Sequence, residues 1–409
     1  MNIFSSFFER PGVEKAGMLI GFLLVENNIA LLPNVGSLYY AFMLAALLYM
    51  LLKERISFGI FAMLGLYVTC LLSIWINDVP VFFQPYLRFL TFLMITLLVS
   101  PAIYNDAFTR FRTQVFVTIL WLLKYVIIAS VIYALMGGGY YRFHYFQGVT
   151  NHSMMMGPFA ALCSLFCVYR LLANSCDRQD KKEKIQYGVI LLFALFCLLQ
   201  AASRTAFLGT LASIAVFLAV YYRDRLGKYL KVVVAICVVL ALSFPIWSRY
   251  MDRLEMKNQG STELNINSRE VHWKQRLNEF QSSPFWGIGF ASVSMSANEG
   301  STFSLDGKVE SGSSWLSVLS MIGLFGFAAF LYIFLIVLRR AWRIWHDTPL
   351  LSGFLIAMLC FWALHMMAEG YIFAGGNSLA FCVWLTLGVI YGVTGNKDLA
   401  YELQQKLAG

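Results

Sequence analysis

The feature that most constrains this chain is a succession of apolar runs, each about as long as a bilayer is thick. A hydrocarbon core of about 30 Å takes about 20 helical residues to cross. Runs of that kind lie near 16–33, 36–52, 57–77, 81–103, 113–136 and 153–173, and again near 186–202, 204–222, 230–247, 314–338, 350–369 and 376–394. The first two are short enough to form a tilted hairpin instead. The reading is an all-α, polytopic membrane protein of about 12 transmembrane helices (roughly 20 residues each), a single integral membrane domain over 1–409. Composition agrees, since only 13% of residues are charged where a soluble domain has about 25%. Aromatics reach 16%, as interfacial belts and lipid-facing bulk require.

The net charge of +9 is a topology signal and not a nucleic-acid footprint. With the N-terminus inside, Lys53/Arg55, Arg110/Arg112, Arg178/Lys181/Lys182/Lys184, Arg223/Arg225/Lys228 and Arg339/Arg340/Arg343 all fall on one side, together with Lys397 and Lys406. The short loops opposite, 33–36, 78–80 and 370–376, carry no Lys or Arg. This is the positive-inside pattern, and moving the count by one helix destroys it. Phe-rich residues before Glu9 and Arg10, with no small-residue cleavage site after them, do not read as a cleaved signal. Of the eight cysteines all but Cys176 lie in apolar runs, and no disulfide or thiol chemistry is expected.

Two outward segments break the economy of short loops. One is 137–152, from Gly137-Gly138-Gly139 to Asn151-His152. The other, 248–313, is far longer than the usual connection of about 4–6 residues; it contains a helix-like stretch around 268–281 and the turn Pro284-Phe285-Trp286-Gly287-Ile288-Gly289-Phe290. A long structured loop on a membrane scaffold is where function concentrates.

Ionisable residues at bilayer depth are costly and are functional candidates by default. Arg88 lies deep in Phe82–Leu90, serving either a ligand or an ion pair with Glu26. Lys124 is also mid-helix, where its stem snorkels or it serves structure. Arg142, Arg204 and Arg269 lie in outer loops or at outer helix ends, and Arg204 occupies the tight turn Ala201-Ala202-Ser203-Arg204-Thr205. Guanidinium groups there suit an anion with forked oxygens, such as a diphosphate; the alternative is pairing with nearby carboxylates. No Asp-x-Asp pair is present, and His144, His152, His272, His346 and His365 lie in separate segments. His365 and Glu369, one helical turn apart, do not make a metal site without a third ligand. No metal and no cofactor are expected.

Four stretches in order resemble the O-antigen ligase and Wzy-type polysaccharide polymerase superfamily, most strongly over about 140–330. They are Arg142 through Gly148-Val149-Thr150-Asn151-His152; Ser203-Arg204-Thr205; Ser268-Arg269…Trp273…Phe280…Pro284–Phe290; and Glu310-Ser311-Gly312-Ser313-Ser314-Trp315-Leu316, followed by Gly323-Leu324-Phe325-Gly326. The resemblance implies a GT-C-like glycosyltransferase of the bacterial inner membrane with a periplasmic active site. Its donor would be an undecaprenyl-diphosphate-linked oligosaccharide, transferred without metal and with inversion; a chain-length regulator is a further expected partner. On that resemblance Arg204 and Arg269 grip the diphosphate, with Arg142 and Arg88 as helpers. The family's ligases place a histidine where Glu310 stands here. Glu310 is then either a carboxylate base, if desolvation raises its proton affinity, or a helix-capping residue. The departure favours a polymerase over a ligase. His152, Trp273, Trp315, Glu369, Tyr371 and Asn377 are the expected glycan contacts, with His144 and His152 as alternative bases. A transporter is the reading from another class, but the two halves show none of the internal repeat such carriers have.

Overall fold

Helices running back and forth through one bundle make up nearly all of the chain described by the computed structural model, which covers residues 11–141, 145–176, 181–201, 203–225, 227, 229–231, 266–294 and 312–408. They are α1 (Gly12–Glu26), α2 (Ser37–Lys53), α3 (Ala62–Ile76), α4 (Pro85–Val99), α5 (Asp106–Leu135), α6 (Ser153–Cys176), α7 (Lys181–Gln200) and α8 (Arg204–Tyr221). After these come α9 (Ile266–Ser282), α10 (Ser314–Arg343), α11 (Pro349–Ala368), α12 (Ser378–Val393) and α13 (Lys397–Ala408). A short antiparallel ladder, β1 (Tyr140–Tyr141) with β2 (Tyr145–Phe146), lies between α5 and α6.

Among the described residues, 7 helices are long and apolar enough to cross a membrane: the stretch Val81–Val99 that ends in α4, and α5, α6, α7, α8, α10 and α11. The chain is a multi-pass membrane protein. The uniform ruler of about 12 equal spans is too simple. Helices α2, α3 and α12 are apolar but shorter, and α1 has 15 residues. The run at 16–33 stops early because Asn27 and Asn28 end the helix and Ile29 turns to bridge Thr150. The run at 81–103 is broken by Gln84, which takes a left-handed conformation (φ 48°) just before Pro85 starts α4. The run expected at 230–247 lies outside the described residues, apart from Leu230 and Lys231.

Close packing supplies the cohesion that hydrophobicity cannot supply in lipid. Gly17 and Gly21, one turn apart on α1, face Phe111 O and Val115 O of α5, and a Cβ on Gly17 would lie 2.8 Å from that first carbonyl. Helix α8 packs along α11, α6 along α7, and α10 against both α3 and α9.

The two ends of the bundle differ. One gathers Lys53, Arg110, Arg223, Arg340, Lys397 and Lys406, and α13 folds beneath it with Leu399, Leu403 and Leu407 buried. Arg112, expected in a loop there, is instead inside α5, which starts at Asp106 because Asn105 caps it by accepting from Phe108 N (2.7 Å). Fully buried, Arg112 donates to Leu98 O (3.0 Å) and Leu97 O (3.4 Å), carbonyls that the end of α4 leaves over, and to Ile103 O (2.7 Å) beyond it. The other end brings together the end of α1, the segment 147–153, the starts of α8, α10 and α12, and all of α9. Asn28 ties three of these: its amide donates to Ser378 Oγ (2.7 Å) and its carbonyl accepts from Asn151 N (2.9 Å).

Candidate functional site

The site lies at that second end and is built on helix starts. Ser203 caps α8 by accepting from Ala206 N, and Arg204 is the first helical residue, exposed. Ser313 caps α10 by accepting from Leu316 N. Unsatisfied N–H groups at such starts favour anions, and Arg204 adds a full positive charge to one of them. Both starts flank the end of α11. Ser314 donates to Glu369 O from its backbone (3.0 Å) and its hydroxyl (2.7 Å), Ser313 Oγ donates to Met366 O (3.2 Å), and Trp315 Nε1 to Ala363 O (3.0 Å). On the other side Gly209 of α8 touches Phe361 and Leu364. The five residues from there back to Arg204 rise about 7.5 Å, which brings Arg204 level with the last turn of α11.

Helix α9 crosses the start of α10. Trp273 Nε1 donates to Gly312 O (3.3 Å), and the Gly312 backbone (φ 63°) rests on His272, so closely that a Cβ there would lie 2.7 Å from His272 Cβ. Arg269 stands one turn before His272 and Trp273 on the same face of α9. Lower down the helix the contact with α10 is a buried ion pair. Arg276 donates to Glu279 Oε2 (2.9 Å) and Ser320 Oγ (3.3 Å); Glu279 Oε1 accepts from Ser294 N (3.0 Å) and Gln275 Nε2 (3.3 Å). Burial pulls the Arg276 pKa down, and the Glu279 carboxylate pulls it back up.

The turn after α9 and the glycines of α10 form one interlock. α10 breaks at Gly323 (φ 68°, ψ −168°), a conformation that in practice only glycine adopts. The break frees Ser320 O and Met321 O to accept from Ile288 N (2.9 Å) and Gly289 N (3.1 Å), while Leu324 N donates to Pro284 O (2.8 Å). Gly287 (φ 71°) lies on the Met321–Ile322 peptide and Gly323 on the Phe285–Trp286 peptide, each with no room for a Cβ. Phe290, at the end of the turn, packs among Phe89, Phe92 and Phe373. Arg88 Nη1 reaches Ala291 O (3.5 Å). The pair between Arg88 and Glu26, one of the two alternatives, is not among the ion pairs of the described residues; Arg88 instead faces the turn, a place its depth alone could not reveal.

The remaining expected residues divide by what their polar atoms already do. Tyr371 is buried (4% exposed) and its hydroxyl lies 2.9 Å from His365 Nδ1; burial and then the Glu369 carboxylate hold its phenol well above the usual range. It sits beneath the site and has no surface for a sugar. Trp315 is wedged among Phe327, Phe330 and Phe334. Asn377 caps α12, accepting from Leu379 N (2.8 Å), and His152 Nδ1 accepts from Met154 N (3.1 Å) at the start of α6. Trp273, Glu369 and His152 keep exposed surface. Arg142, His144 and Glu310 lie outside the described residues, and Arg269 is described in its backbone only. No group of three His, Cys, Asp or Glu is placed to hold a metal ion among the described residues. The buried pair that sequence reasoning missed is Arg276 with Glu279; its signal was two opposite charges three apart in the helix-like stretch around 268–281.

Two comparisons bear on this arrangement. Residues 189–331 match the Wzy_C family model, described as O-antigen ligase, and that stretch runs from α7 through Arg204, Arg269 and the interlock into α10. No curated protein matches the chain.

Proposed function

We propose, on the premise that residues 189–331 are a Wzy_C, O-antigen ligase family domain, that this membrane protein is a polysaccharide polymerase. It would transfer a glycan from undecaprenyl diphosphate to a sugar hydroxyl of a second glycan. The observation that carries the reading is the meeting of two helix starts, Ser203-Arg204 and Gly312–Trp315, at the end of α11, with α9 packed against the second of them. A leaving diphosphate gains negative charge as the bond to the anomeric carbon breaks, and fixed positive charge aimed at it lowers that barrier. Arg204 and Arg269 supply that charge in this reading, with Arg142 and Arg88 as helpers. Glu310, just ahead of the Gly312 turn, takes the proton from the acceptor hydroxyl, and His152, Trp273 and Glu369 contact glycan. The reading needs neither metal nor cofactor.

The end that carries Arg204 is then the periplasmic face of the inner membrane and the lysine-rich end the cytoplasmic one, as the positive-inside rule orients them. The segment 248–313 is one periplasmic loop, and the apolar helices, short ones included, together with the run at 230–247, make about 12 passes of unequal length. Purified protein supplied with lipid-linked repeat units alone should make polymer, with Arg204→Ala and Arg269→Ala inactive and Glu310→Gln reduced to background. No polymer from the wild-type chain defeats the polymerase. A second reading, ligation of finished glycan to lipid A core or protein, is favoured by the description of the matching family model; product that appears only when such an acceptor is added selects it.

A further inference from the structure

Helix α10 carries no charged residue from Ser314 to Leu338 and then meets Arg339, Arg340 and Arg343 in close succession. The switch marks where this membrane-crossing helix leaves the hydrocarbon at the lysine-rich end. The three arginines differ in what holds them. Arg340 turns inward: its Nη1 donates to Tyr391 O (3.1 Å) and its guanidinium covers the Tyr391 ring of α12. Arg339 and Arg343, one turn apart, lie on the exposed face. That face continues along the helix through Leu335 and Tyr332, both half-exposed. It is a lipid-facing strip that ends in two guanidinium groups.

The end of α8 supplies a third. Trp345 Nε1 donates to Val220 O (2.8 Å) and pins the two helix ends together. Arg223, just past α8, lies over the rings of Trp345 and Trp342, with its Cζ 5.0 and 5.2 Å from their centroids. Trp342 is 44% exposed and shares the exposed face of α10 with Arg339. Three guanidinium groups thus gather near one indole at the rim of the bilayer. A ring contact holds a guanidinium without neutralising it. Among the described residues none of Arg223, Arg339 and Arg343 forms an ion pair, whereas Arg110, Arg170, Lys397 and Lys406 at the same end all do. Of the carboxylates nearest in sequence, Asp347 is taken by Lys397 (2.9 Å) and Asp224, exposed, makes no ion pair among the described residues.

We propose that these three arginines bind the phosphate head of an anionic phospholipid in the leaflet that meets the lysine-rich end, with an acyl chain lying along Leu335 and Tyr332. The site goes beyond the glycosyl-transfer reading and stands without it. Three features select that occupant. Guanidinium forks pair with the oxygens of a phosphate. The apolar strip next to them takes a tail, which a soluble anion lacks. The half-exposed indole sits where amphipathic rings meet head groups. A zwitterionic phospholipid brings its own ammonium group, so the cluster discriminates against it. A lipid bound here bridges the ends of α8 and α10, and its binding stabilises the folded chain.

The test is thermal unfolding of the purified full chain in detergent, with cardiolipin added in steps and phosphatidylcholine in its place as the comparison. Cardiolipin should raise the midpoint of the wild type in a saturable way, and phosphatidylcholine should not. Arg339→Gln/Arg343→Gln should raise the half-saturating cardiolipin concentration about 25-fold, at about fivefold per arginine near a membrane surface. Arg223→Gln should raise it about fivefold. Lys181→Gln/Lys182→Gln removes the same charge from the exposed start of α7 and should leave it within about twofold, since it lies outside the site. If Arg223→Gln does not accumulate as monodisperse protein, the double arginine variant carries the test. A wild type that responds to both lipids alike overturns the site, as does a double arginine variant that keeps wild-type half-saturation. An equal loss in the lysine variant overturns it too, because the effect is then general attraction at that end. Inorganic pyrophosphate raising the midpoint as far as cardiolipin would make this a soluble-anion site and overturn the lipid.

Discussion

The two ends of the bundle use positive charge in opposite ways. At the lysine-rich end several of the cations are fastened to the protein. Arg112 takes three backbone carbonyls, Arg170 joins Leu407 O (2.9 Å) to Glu183 (3.2 Å), and Arg223 lies over Trp342 and Trp345. Arg340 covers the Tyr391 ring at 3.7 Å, and Lys406 bridges Glu14 (3.2 Å) and Glu402 (2.8 Å). Even Lys124, deep in α5, is held over the Trp121 ring at 3.5 Å, which answers its bilayer depth with structure. Among the described residues at the other end, Arg204 is exposed on the first turn of α8, Arg269 lies in the first turn of α9, and Lys274 pairs with Glu270 (2.7 Å). Among the described residues there, Arg276 is the one locked in a buried ion pair. Number of charges is thus a poor guide to which end would take an anionic substrate. The crowded end uses several cations to dock α13 and neighbouring segments, and the other end has a cation in the first turn of α8 and of α9.

That contrast can be broken at several points. The largest expected effect is at the end that carries Arg204, where Arg204→Ala or Arg269→Ala should lower transfer by at least about 100-fold and leave membrane content unchanged. Product ladders from purified variants measure it, and normal ladders would erase the functional difference between the ends. Next comes Glu279→Gln, which leaves Arg276 buried beside a neutral amide. Removing one partner of a buried pair costs about 3–5 kcal/mol, so this variant should show a marked drop in thermal midpoint in detergent. A midpoint equal to wild type would mean the pair is not buried as described. Gly323→Ala forces a side chain into a conformation that costs about 1–3 kcal/mol and into the Phe285–Trp286 peptide; it should loosen α9 and expose the 284–290 turn to protease. Unchanged cleavage would show that the turn does not depend on the break in α10. The smallest effect belongs to the lysine-rich end. Lys406→Ala, at a partly exposed ion pair, should change stability by no more than about 1 kcal/mol and leave transfer untouched.

Legibility from sequence followed the range of the interaction concerned. Hydropathy is summed along the chain, so the helical class, the membrane and most span positions were readable, as was the segregation of Lys and Arg. The four motif stretches were readable as stretches. Their mutual contacts were not. That Pro284–Phe290 and Gly323–Gly326 are halves of one interlock depends on two glycines 36 positions apart (287 and 323) facing each other's backbones. The burial of Tyr371 follows from the segment after α11 folding back onto His365, which no local pattern announces.

What the sequence determined by itself is the solvent each segment must live in, because every apolar run answers to lipid one residue at a time. Only the tertiary structure decided which polar groups are consumed in holding the bundle and which are presented at helix starts. A guanidinium looks the same in any stretch of sequence; its role is set by the carbonyls, rings and carboxylates that packing brings within 3–4 Å. Arg112 and Arg204, alike in composition, are separated by that alone.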